Sequence, residues 1–158
     1  MIKKLSLRCV IPAVAALLLL VGVCYMLWPH SFADLQPECD SITILRTDTA
    51  EDYSLTQTRD IYSADSAEFN QIMDILSRYT YHRSFRTLMR ANNIEDNHAG
   101  FWLHVYLDHG NDRARFTCGG TGEILIDGLA WRVGWGDRAE LAMMDELAAV
   151  LEKQEAPE

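Results

Sequence analysis

The longest apolar run lies near the start of the chain, where Cys9 to Trp28 reads CVIPAVAALLLLVGVCYMLW without a charge. At about 1.5 Å per helical residue it covers about 30 Å, the thickness of a hydrocarbon core, and predicts a transmembrane helix over 9–28. Pro12 falls in the first turn, where its missing N–H costs little, and Tyr25 and Trp28 fall where an aromatic belt would sit. Residues 29–40 are polar and read as a stalk. Ser41 to Arg46 then alternates and is rich in β-branched side chains, which predicts a half-buried strand, and Arg59 to Tyr62 predicts a brief second one.

Asp65 and Glu68 have the spacing of a capping box, and Phe69, Ile72, Met73 and Leu76 follow at helical intervals, predicting the first amphipathic helix. Tyr79 to Met89 reads as a strand and Arg90 to Gly100 as a long Asn-rich loop. Phe101 to Asp108 alternates cleanly: Phe101, Leu103, Val105 and Leu107 face the core, while Trp102, His104 and Tyr106 face the other way. Hairpins follow through His109–Asp112, Gly119–Gly122 and Asp127-Gly128, with strands at Arg113–Cys118, Glu123–Ile126 and Leu129–Val133. Asp137 and Glu140 repeat the capping spacing, and Leu141, Met144, Ala148 and Leu151 mark a final helix ending near Lys153, before a frayed tail over 154–158. The predicted fold class is α+β over 41–153: a mostly antiparallel sheet of about five to six strands, with two amphipathic helices packed on one face.

The chain has 158 residues and a formal net charge of −9, but Lys3, Lys4 and Arg8 all precede the apolar run, so the part beyond it carries −12 on the same count. That balance excludes a nucleic-acid grip, which needs clustered cations, and disfavours docking flat on anionic lipid. The same asymmetry, with Asp34, Glu38 and Asp40 after the run, predicts residues 1–8 in the cytoplasm and the domain outside the cell membrane, single-pass. The alternative is a secreted chain cleaved near Ala33, because Ser31-Phe32-Ala33 offers small residues at both recognition positions. Leu20 to Cys24 is like a lipoprotein cleavage box, with a branched Val23 where a small residue is expected.

Cys39 and Cys118 are the two thiols of the exported domain and are candidates for a disulfide, which the compartment permits. Trp102, His104 and Tyr106, with Trp131 from a neighbouring strand and Trp135 close by, suggest an aromatic binding patch; packing within the core is the alternative. His82, His98, His104 and His109 lack the spacing of a metal motif, and no metal or other cofactor is assigned. His104 with Asp108 and a neighbouring His is the pair on which an envelope hydrolase or metal-dependent enzyme would depend; no catalytic residue is assigned. Asp108, Asp112, Glu123 and Asp127 sit at turns, where carboxylates serve the backbone. Gly119-Gly120-Thr121-Gly122 has the composition of a phosphate loop without its lysine or its following helix, so no nucleotide is assigned.

Tyr79-Thr80 after the first amphipathic helix, Gly122-Glu123-Ile124 opening a hairpin, and the order of anchor, stalk and one small domain give this chain its resemblance. It resembles uncharacterised exported families of Gram-positive bacteria, many of them lipoproteins. That resemblance carries no active site. The functional expectation is a non-enzymatic binding or interaction module, with a protein or small ligand at the cell envelope as partner; a small envelope enzyme and an accessory subunit of a membrane complex are the alternatives.

Overall fold

A computed structural model describes residues 7–36, 38–49, 54–84, 86–87, 99–136 and 138–155. Among the described residues the helices are α1 (Leu7–Leu27), α2 (Phe32–Leu35), α3 (Ala67–Arg78) and α4 (Ala139–Glu155), and Arg86 and Thr87 are also helical. The strands are β1 (Ser41–Thr49), β2 (Leu55–Ser63), β3 (Tyr81–His82), β4 (Phe101–His109), β5 (Asp112–Cys118), β6 (Glu123–Ile126) and β7 (Leu129–Val133). They form one seven-stranded sheet in the order β2-β1-β4-β5-β6-β7-β3, and every pairing is antiparallel.

The α+β class is therefore as expected, and the strand count is higher. The difference lies at the two edges. Leu55 to Ser63 pairs along all of β1, although its polar, mostly exposed side chains give no buried stripe to read. At the other edge the expected strand Tyr79–Met89 is a strand only at Tyr81–His82 among the described residues; 85, 88 and 89 lie outside them. There Ser84 and Thr87 turn the chain by exchanging hydrogen bonds, Ser84 N–H to Thr87 Oγ1 at 2.7 Å and Thr87 N–H to Ser84 Oγ at 3.1 Å. Residues 88–98, which hold most of the expected Asn-rich loop, lie outside the described residues.

The alternation of β4 works as predicted. Leu103, Val105 and Leu107 are fully buried and join Ile42, Ile44, Phe116, Cys118 and Ile124 in one core, closed over by Ile72, Ile75 and Leu76 of α3 and Met143, Met144 and Leu147 of α4. Both helices thus cover the same face of the sheet. The cap of α3 is Ser66, not Asp65: its Oγ accepts the Phe69 N–H at 3.0 Å. Asp127 at φ 49° and Gly128 at φ 80° make the tight β6–β7 turn with both central residues left-handed, as a two-residue hairpin requires.

The expected stalk is largely built into the domain. His30 exchanges backbone hydrogen bonds with Tyr81, at 2.7 and 2.9 Å, extending the sheet beyond β3. Ser31 caps α2 in a reciprocal box with Asp34, and this presents Phe32 to the core. There Phe32 is 1% exposed, with its ring 5.7 Å from Phe116 and 6.3 Å from Tyr81.

Among the described residues no helix is long and apolar enough to cross a membrane. α1, Leu7–Leu27, has 21 residues. Its apolar side chains are exposed, Leu18 at 67% and Leu19 at 72% among them.

Candidate functional site

The strand register decides which candidate residues share a face. Trp102, His104 and Tyr106 alternate with the buried side of β4 and so project from the sheet face that the helices leave uncovered, each half-buried. Trp131 pairs with the fully buried Ile124 and packs against the helix-covered core, where its ring lies 5.6 Å from His30 and under the Arg83 guanidinium at 5.5 Å. The four residues therefore do not form one aromatic patch: Trp131 is on the far side of the sheet. Trp135 is 77% exposed and stacks on His82, ring centroids 4.6 Å apart.

The residues proposed for chemistry are also dispersed. His104 Nδ1 sits 3.1 Å from Thr117 Oγ1. Burial, assisted by the Arg115 charge, holds its imidazole below the usual pKa of 6.5. Asp108, four positions along the same strand and about 13 Å away, is held by Arg113. His109 instead faces Glu38 at 2.8 Å and Asp40 at 3.2 Å. His104 and Asp108 thus do not converge. Among the described residues no group of His, Cys, Asp and Glu gathers as a metal site, and His98 lies outside them.

Cys39 and Cys118 are free thiols, so the expected disulfide is not made. The register gives the reason. Cys39 precedes Ser41, which pairs with Asp108 at one end of β4, whereas Cys118 pairs with Leu103 near the other end. Five strand residues separate those points, about 17 Å, and a disulfide needs Cα atoms within about 7 Å. Cys118 is fully buried and its thiol pKa is pushed well up by desolvation.

The Gly119–Gly122 loop holds an anion of the protein's own. Glu140, at 0% exposure, accepts hydrogen bonds from the amides of Gly119 at 2.9 Å, Gly120 at 3.0 Å and Gly122 at 2.6 Å. Glu140 thereby bridges α4 to the β5–β6 loop, and Asp137, its partner in the expected capping box, lies outside the described residues. Burial raises its carboxyl pKa above the ordinary value, and the amide hydrogen bonds oppose that rise. Gly119 also lets the Trp102 ring approach: a Cβ there would lie 2.6 Å from it.

Beside this loop is a hollow of about 360 Å³ lined by Arg86, Arg132 and Arg138, together with Gly120, Thr121 and Glu123. Glu123, 3% exposed, receives the Arg86 guanidinium at 3.1 Å and faces Arg132 across the β6–β7 hairpin. Among the described residues the Arg138 guanidinium has no ion-pair partner. Among the described residues, three guanidiniums and one carboxylate line this hollow on a strongly acidic domain. Composition hides this cluster because it counts charges without placing them. Part of it was nonetheless available from the chain: a two-residue turn at Asp127-Gly128 forces Glu123 opposite Arg132. Arg86 and Arg138 arrive from segments distant in sequence.

Comparison with protein-family models, with curated proteins and with solved structures finds no match to this chain.

Proposed function

We propose that this protein is a single-pass, membrane-anchored binding module whose domain lies outside the cytoplasm and whose binding site is the arginine hollow. The observation that carries the reading is the join between anchor and domain. The chain leaves α1 at Leu27 and by Phe32 is already in the core. Cleavage after Ala33 would strip away Phe32 together with the His30 bridge to Tyr81, so a secreted chain would lack part of its own core. The uncharged run from Cys9 to Trp28 and the exposed apolar side chains of α1 support the same assignment, because a helix apolar all round needs lipid or protein about it. Kinship with exported families of Gram-positive bacteria is part of this proposal and rests on the same layout.

Binding is favoured over catalysis because the three arginines converge while His104 and Asp108 do not. The orientation is tested by fusing alkaline phosphatase and a green fluorescent protein, separately, after Glu158. An active phosphatase fusion with a dark fluorescent one is expected. The reverse pattern would place the domain in the cytoplasm and overturn the reading.

A further inference from the structure

We infer that the outer edge of β2 pairs antiparallel with the same edge of a second copy of this chain, joining two sheets into one across a two-fold axis at Thr58. This goes beyond the binding-module reading and does not depend on it. β2 is nine residues long and runs beside β1 without a bulge, from Leu55 opposite Thr49 to Ser63 opposite Ser41. Among the described residues β1 is its one strand partner, so the other side of β2 presents backbone N–H and C=O groups as a template for a further strand. Edges that stay single are kept short, bulged, covered, or broken by proline. The opposite edge of this sheet follows that rule, because β3 has two residues and is continued by the His30 bridge. β2 does not: it carries no proline, and Leu55 and Ile61 stand 64% and 65% exposed.

The sequence of β2 is complementary to itself in one register. Opposite residues of an antiparallel pair share a face, and a two-fold that keeps the helix-covered faces of both copies on one side sets one residue opposite its own copy. Leu55 and Ile61 lie three positions on either side of Thr58. An axis at Thr58 therefore sets Leu55 opposite Ile61 of the second copy, twice, with Gln57 opposite Arg59 and Thr56 opposite Asp60. An axis at Arg59 or at Asp60 would oppose like charges, and one at Gln57 would set Leu55 against Arg59. The Thr58 register covers both exposed apolar side chains and opposes no like charges. Leu45 pairs with both Arg59 and His104, so the Leu55–Ile61 contacts form on the sheet face of His104, away from α3 and α4.

The test uses the full chain in detergent, with its mass read by light scattering over a dilution series. A dimer is expected. Leu55→Lys with Ile61→Lys sets like charges opposite each other at both ends of the register and should weaken the dimer at least about tenfold. Leu55→Glu with Ile61→Lys sets opposite charges there and should restore it. The axis is tested in a chain carrying Cys9→Ser, Cys24→Ser and Cys39→Ser. There Thr58→Cys places two Cα atoms about 4.5–5.5 Å apart and should cross-link on mild oxidation, whereas Gln57→Cys, about 8 Å from its copy, should not. A chain monomeric at every concentration would overturn the pairing, as would a dimer indifferent to both charge variants, which would be held through α1 or another surface. Equal cross-linking at 57 and 58 would overturn the Thr58 axis.

Discussion

His104, half-buried, and Glu140, fully buried, tie stability to pH in opposite directions. The His104 pKa is held below 6.5 by burial and by Arg115, and His82 behaves likewise through burial and Arg132. Below about pH 6.5 the unfolded chain therefore binds more protons at these two sites than the folded one, and stability falls as pH drops through that window. Glu140, with its pKa raised above 4.5, binds more protons when folded, so its own contribution is lost as pH rises through the window above 4.5. Urea-unfolding midpoints between about pH 7 and pH 5.5 should fall on acidification, and His104→Gln should flatten that slope. An unchanged slope in the variant would remove His104 as its source. None of this pairing was legible in the chain. Glu140 has the spacing of a helix cap, and only the fold brings it to the Gly119–Gly122 amides. Cys39 and Cys118 failed similarly, since their compartment allows a disulfide but the β1–β4–β5 register sets them at opposite ends of a strand.

Periodicity succeeded for elements that bury one regular stripe, and it failed for those held by other means. β4, α3 and the β6–β7 hairpin carry clear stripes or turn residues and were readable in kind and nearly in extent. β2 is an exposed edge of which only Arg59–Tyr62 was expected, so its extent was missed, and α2 is only four residues long and has no period to detect. Yet α2 places one of the largest fully buried side chains, Phe32, between Tyr81 and Phe116. Phe32→Ala should cost about 3–5 kcal/mol, lowering the melting temperature of the full chain in detergent by about 10 °C. A shift within a degree or two would mean that His30 to Leu35 is a loose tether after all.

For the whole molecule, net charge describes the average surface and says nothing of how charges are placed, as in the arginine-lined hollow. A domain at −12 gives no hint of three arginines around a hollow, because β3, β7 and the start of α4 must first be brought together. The same folding joins that corner to the foot of α1 through His30 and Tyr81, so α1 and the arginine hollow become neighbours. The proposed membrane attachment requires that α1 be retained. Its most direct test is the intact mass of the chain recovered from membranes after carbonate washing. A carbonate-resistant chain whose mass still includes α1 is the predicted result. A washed-off chain beginning at Asp34, or a lipidated one beginning at Cys24, would contradict it.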